Sequence, residues 1–357
     1  MAEAYSPDFS PMGSPPTMTI DFQTYDAGDV TLASGRVFPA LQVAYKTYGT
    51  LNAARDNAIV YPTSFAAQHS DIEWLVQQGA GLDSSRWFVI IPNLFGNGLS
   101  SSPSNASNEI PHNDYPLLTY HDAVHIHHRL VTEHLGVRRI AMVYGWSMGG
   151  MQAYHWAALF PEWVEKIAVV CGSARCSPYN QVFLESVRAA LTADSAFQDG
   201  HFVSAPQRGL RAMGRVYAGW AMSHGFYRDA LWREAGFANL EDYLVGAWEA
   251  NYKHRNPDNL LAQMATWQHG DISANTRFGG NFDAAMAAIT ADVLLMPGET
   301  DRYFDAEDNR AELPKLVNAR SKTLRPIPSL WGHRAGNPHN IPKDRAWLEA
   351  QIKDFLG

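Results

Sequence analysis

Short apolar runs recur along the chain at residues 57–62, 87–92, 139–144, 166–171 and 292–297. Runs of this length and continuity fit strands buried on both faces, as in a parallel sheet. An earlier stretch, residues 37–48, is rich in apolar and aromatic residues and also reads as a strand. Between the runs the period changes. Residues 120–135 place Val124, Leu130, Val131 and Leu135 on one face of a predicted helix. Residues 150–159 read as a second helix, ended near Pro161. Alternating strand and helix predicts a mostly parallel, doubly wound α/β sheet.

The alternation breaks over residues 178–282, a helix-like stretch crowded with large side chains such as Met213, Tyr217, Trp220, Trp248 and Trp267. An insertion of this kind between two core strands predicts a helical lid on a core formed by 19–177 and 283–357. Any one of these aromatics suits the packing of the lid itself. Together they predict that some line a pocket, because pockets are mostly apolar and sit between domains. Residues 1–18 are rich in Pro, Ser and Gly and lack the basic-then-apolar order of a signal peptide, so they read as a flexible leader.

Composition narrows the function. Of 357 residues, 46% are hydrophobic, enough for a large core, and the net charge is −8. That charge argues against nucleic acid or an anionic membrane as partner. No apolar run reaches the length of a membrane span, and a soluble, cytoplasmic protein is the expectation. The two cysteines, Cys171 and Cys176, read as reduced thiols near the core and are too few for a zinc site. No Gly-rich dinucleotide loop opens the first unit. The expected partner is a small-molecule ester or acyl donor, with no bound cofactor.

The chemistry concentrates in Gly145-Trp146-Ser147-Met148-Gly149, between a predicted strand and a predicted helix. A serine hydroxyl attacks an acyl group only when it is exposed and a base takes its proton. A tight strand-to-helix turn with flanking glycines supplies the exposure. This predicts an α/β-hydrolase fold with Ser147 as nucleophile. In that fold the acid and base follow the serine in chain order. Asp301 follows the run ending at Met296 and is the expected acid, with Glu299, Asp305 and Glu307 as alternatives. His333 follows the strand-like run 323–327 and is the expected base, with His339 as competitor. The oxyanion that forms on acyl transfer needs backbone N–H donors. Met148 is one, and Ser64, in the loop after the first run, is the other, with Thr63 and Phe65 as alternatives. His121, His125 and His128 share a helical face beside His127. Without a completing ligand they read as an amphipathic surface and not as a metal site.

With these residues in place, the chain resembles the homoserine O-acetyltransferase family. The resemblance rests chiefly on 145–153, on 82–90, on Asn93-Leu94-Phe95-Gly96, and on Thr300-Asp301 and Gly332-His333. It implies an α/β-hydrolase core with a helical lid, pairing as a homodimer through that lid, and an acetyl-enzyme formed from acetyl-CoA as co-substrate. The family also holds an acceptor carboxylate with a lid arginine, for which Arg211 and Arg215 are both candidates. Phe65, Trp146 and Tyr217 complete the candidate substrate contacts. The family's His-Ala-Leu-Thr is absent near Thr63, and Arg334 stands where the family has Asp after the base. The acceptor site is therefore altered while the acyl-enzyme chemistry is intact. The expected activity is serine-dependent hydrolysis of short acyl esters such as acetates. Acetyl transfer to a hydroxyl such as homoserine's is the alternative, and a non-catalytic binding protein is the third reading.

Overall fold

The computed structural model describes residues 21–106, 110 and 114–357. The leader expected at 1–18 lies outside the described residues. Ten strands occur among the described residues: β1 (Gln23–Thr31), β2 (Val37–Tyr48), β3 (Ala58–Val60), β4 (Phe88–Pro92), β5 (Ile140–Trp146), β6 (Lys166–Val170), β7 (Phe197–Gln198), β8 (His201–Phe202), β9 (Asp292–Met296) and β10 (Ser321–Leu324). Eight form one sheet in the order β1-β2-β4-β3-β5-β6-β9-β10, and β7 and β8 make a separate hairpin. β2 runs antiparallel to β1 and β4, and the remaining pairs in the large sheet are parallel.

The apolar runs became the central strands because both their faces are covered. β3 is buried throughout, as are all but the last residue of β5 and all but the first of β6 and β9. The β1 strand escaped the sequence reading. It is an edge strand with only Ala27 buried, so it carries no apolar run to detect. The strand expected at 323–327 is Ser321–Leu324, and Ile327 continues it as a single parallel bridge to Gly298.

The helices are α1 (Tyr120–Arg129), α2 (Met148–Leu159), α3 (Pro178–Thr192), α4 (Gln207–Ala221), α5 (His224–Arg228), α6 (Leu240–Tyr243), α7 (Ala250–Lys253), α8 (Pro257–Gln268), α9 (Phe282–Ala287), α10 (Ala306–Glu312) and α11 (Pro342–Leu356). Thr119 and Asp122 cap α1 reciprocally, and the helix runs on through a π turn at Leu130–His134. Every residue of α2 is buried, and its sequence is largely apolar, with Gln152 and His155 as buried polar members. Between β6 and β9 the chain builds α3 to α9. Phe183, Met213, Tyr217 and Trp267 from that stretch share one apolar cluster with Met148, Met151, Tyr303 and Phe304. Among the described residues no helix is long and apolar enough to cross a membrane.

Of the α1 histidines, His125 is exposed and His121 and His128 are half-buried, while His127 departs from the expected surface. His127 is fully buried and stacks near Phe95, with neither ring nitrogen hydrogen-bonded. Burial pushes its imidazole down to about 3, so it stays neutral. His128 stacks on Phe160 at 3.9 Å between ring centres, and the rings of His121 and His125 lie 4.2 Å apart. The row packs against aromatics because α1 is covered from the side of α2.

Candidate active site

The site forms where parallel strands end, the usual place for function in an open α/β sheet. β5 runs into Trp146, and Ser147 turns the chain into α2 with φ 58° and ψ −125°. A side chain rarely adopts this backbone, and the strain persists only where packing fixes it. The glycines explain the fixing. A Cβ on Gly145 would come within 2.0 Å of Gly149 O, and one on Gly149 within 2.7 Å of Pro62 O. Strand, helix and the loop after β3 therefore meet more closely than any side chain permits.

The other expected residues converge on the turn. Asp301 and His333 are both buried, and His333 Nδ1 lies 2.6 Å from Asp301 Oδ2. Asp301 Oδ1 accepts from the amides of Tyr303 and Phe304 at 3.2 and 3.1 Å, which fixes the carboxylate. His333 is clamped by rings, Tyr303 at 4.4 Å and Trp146 at 5.1 Å, and its carbonyl accepts from Trp146 Nε1 at 3.3 Å. With Nδ1 turned to the carboxylate, Nε2 remains to exchange a proton. The alternatives are engaged elsewhere. Glu299 and Glu307 pair with Arg310, Asp305 caps α10, and His339 stacks near Trp74.

Ser64 lies beside the turn. Its hydroxyl donates to Trp146 O and receives a 3.4 Å contact from Gly149 N. Met148 opens α2, so its N–H has no acceptor within the helix. The loop carrying Ser64 is held by side chains that the sequence reading did not single out for a role. Gln152 on α2 donates to Thr63 O at 3.0 Å. Gln263 on α8 accepts from Ala66 N at 2.6 Å and donates to Phe95 O at 3.1 Å. Arg255 donates to Ala66 O. The only signal for Gln263 was a polar residue on the inward face of an apolar helix.

Ser147, His333, Ser64, Phe65, Trp146 and Tyr217 line one cavity of about 600 Å³. Phe65 and Tyr217 stack, nearly parallel, at 6.0 Å. Arg211 and Arg215 do not line it. Both turn from α4 to the buried Glu249, with Arg211 Nε 2.6 Å from Glu249 Oε2, and Arg215 also pairs with Glu241. The structure thus turns both candidates for a carboxylate-binding role towards a carboxylate of the chain and away from the cavity. The arginines on the cavity wall are Arg255 and Arg334.

Among the described residues two groups of side chains converge closely enough to share a cation: Cys171 with Asp301 and His333, and Asp21 with His69 and Glu73. Neither is free for one. Burial pushes the Cys171 thiol well above its ordinary range, and Asp301 is committed to His333. In the second group Lys46 bridges Asp21 and Glu73 at 2.7 and 2.8 Å. Cys171 and Cys176 are both free thiols.

Known proteins share this arrangement of the chain. The alpha/beta hydrolase fold family matches residues 57–333. An ethyl acetate hydrolase of Pseudomonas veronii is 32% identical over 315 residues, covering 87% of this chain and 89% of that protein. A homoserine O-acetyltransferase of Chlorobium luteolum is 36% identical over 340 residues, covering 90% of each. The crystal structure of an acetylester hydrolase from Corynebacterium glutamicum superposes with a TM-score of 0.88 at 30% identity, over 94% of this chain and 95% of that one. Extent of match, sheet order and strained serine turn agree: the chain is a member of the alpha/beta hydrolase family.

Proposed function

We propose that this enzyme hydrolyses short-chain acyl esters, acetates above all, through an acyl group carried on Ser147. The observation that carries the reading is the buried Asp301–His333 pair opening onto the same cavity as the strained Ser147. His333 Nε2 takes the serine proton as Ser147 Oγ attacks the ester carbonyl. Asp301 holds the Nδ1–H and offsets the imidazolium charge. The amides of Met148 and Ser64 receive the oxyanion. His333 then returns the proton to the departing alcohol, and water repeats the sequence on the acyl-serine. The names of the Pseudomonas and Corynebacterium relatives support acetate as the acyl group.

Acetyl transfer to a hydroxyl is the second reading, favoured by the 36% identity to the Chlorobium transferase. Acetyl-CoA would then be the donor. Against it stand Arg211 and Arg215, the two arginines considered for that carboxylate, which pair with Glu249 and do not line the cavity. We further propose that residues 178–282 act as the lid, that two chains pair through it, and that the protein works in the cytoplasm, where its two thiols stay reduced.

Time-resolved acetate release from a chromogenic acetyl ester, by wild type and Ser147→Ala, with and without homoserine, tests the reading. Release lost in the variant and indifferent to homoserine is the expected result. Acetyl-homoserine as product would establish the transferase instead, and equal release by both proteins would remove Ser147 from the chemistry.

A further inference from the structure

The cavity is larger and differently charged than a simple acetate ester requires. Ethyl acetate has six heavy atoms, whereas pockets of a few hundred Å³ and above enclose drug-sized ligands. The space here is about 600 Å³. The chain as a whole carries −8, yet the cavity wall holds two arginines against one carboxylate, Asp71. Asp71 accepts from Gln68 N at 2.8 Å, as part of a local cap.

The two arginines lack the counter-charge that several other arginines in this protein have. Arg255 is half-buried, and its hydrogen bonds go to Ala66 O, Asn251 O and Asn251 Oδ1, all neutral acceptors. Three of its five donors are thereby used. Arg334 is half-buried beside the Tyr243 and Tyr252 phenols, with which its charge interacts, and its guanidinium has no hydrogen-bond or ion-pair partner among the described residues. By contrast, a carboxylate pairs with Arg211, Arg215, Arg320 and Arg345. A guanidinium on a cavity wall with no carboxylate of the chain beside it is open to an anionic group of a ligand.

Its place in the chain says which end of the substrate it meets. Arg334 directly follows His333, the group that hands a proton to the leaving alcohol. The alcohol portion must therefore lie against His333 as it departs, and Arg334 continues that wall. We propose that the preferred ester carries a carboxylate on its alcohol portion, bound by Arg334 with Arg255 as a second cation. This assignment rests on the hydrolase reading above.

The test compares acetate release from 4-acetoxybutanoate and 6-acetoxyhexanoate with release from the matching primary amides, which have the same shape without the charge. Wild type is expected to favour at least one carboxylate over its amide by about ten-fold or more in kcat/KM, the usual worth of a charge-assisted hydrogen bond. That ratio should fall towards one in Arg334→Gln, recover in part in Arg334→Lys, and shrink with added salt. Thermal melts of each variant separate loss of preference from loss of fold. Hydrolysis of amide and carboxylate esters with equal kcat/KM overturns the carboxylate assignment while leaving the hydrolase reading standing. A preference that survives in Arg334→Gln overturns the role of Arg334. No release from any ester, neutral ones included, removes the hydrolase reading itself. A marked preference for acetyl-CoA over both carboxylates would assign the cations to phosphate and overturn the proposal.

Discussion

Ser147 holds φ 58° and ψ −125° in a fully packed turn. Removing its hydroxyl, which faces the cavity, costs the fold no hydrogen bond among the described contacts. Ser147→Ala should therefore melt at or above the wild-type temperature while acetate release falls by several powers of ten. Differential scanning calorimetry beside a rate assay checks both halves. Asp301→Asn is expected to keep the fold, because the amide oxygen can still accept from Tyr303 and Phe304. It should lower kcat by about three to four powers of ten, since an amide presented to His333 Nδ1 favours the wrong tautomer. Ser147, Asp301 and His333 were legible because each stands just past a recognisable strand, so local sequence carries its position. Arg211 and Arg215 were misleading for the opposite reason. The Glu249 that neutralises them lies 38 and 34 residues away, and nothing in their own surroundings announces it.

Elements depend on contacts that a single residue can remove. Gly145→Ala would press a methyl group into Gly149 O, separating β5 from α2. A loss of more than about 4 kcal/mol, or failure to fold, is expected in denaturant titrations. On α10, Glu312 is fully buried and accepts from Ala174 N, Asn309 and Tyr154. Burial pushes its carboxyl up to about 7, against the pull of those hydrogen bonds. The native state then holds a proton that the unfolded chain releases near its ordinary value of 4.5. Stability should accordingly fall as pH rises from about 4.5 to 7, by on the order of 3 kcal/mol, and level off above. Glu312→Gln should flatten that slope in melts recorded across the window. Most strands were legible from continuous apolar runs, whereas β1 was not, because an exposed edge asks for no such run.

At the scale of the molecule, the stretch between β6 and β9 is bound into the core. Phe183, Tyr217 and Trp267 share a cluster with Met148, Tyr303 and Phe304. Removing residues 178–282 and joining the ends should leave Met148, Tyr303 and Phe304 in water and the product in the insoluble fraction. A soluble core with full turnover would contradict this. Composition indicated that an insertion existed, and its aromatics indicated a pocket. Which residues face that pocket depends on how α4 and α8 lie across the sheet, and sequence periodicity carries no such orientation.

The grip of α8 and the segment just before it on the loop after β3 has a consequence for descent and recombination. Gln263 and Arg255 hold Ala66 from opposite sides, at its amide and its carbonyl. Loop and helix are about 200 residues apart in sequence and must change together. A chimera that imports a relative's inserted helices alone would leave Ala66 facing foreign side chains. The unit of exchange is the insertion together with residues 63–67, and crossovers that split the two should yield folded proteins with little turnover.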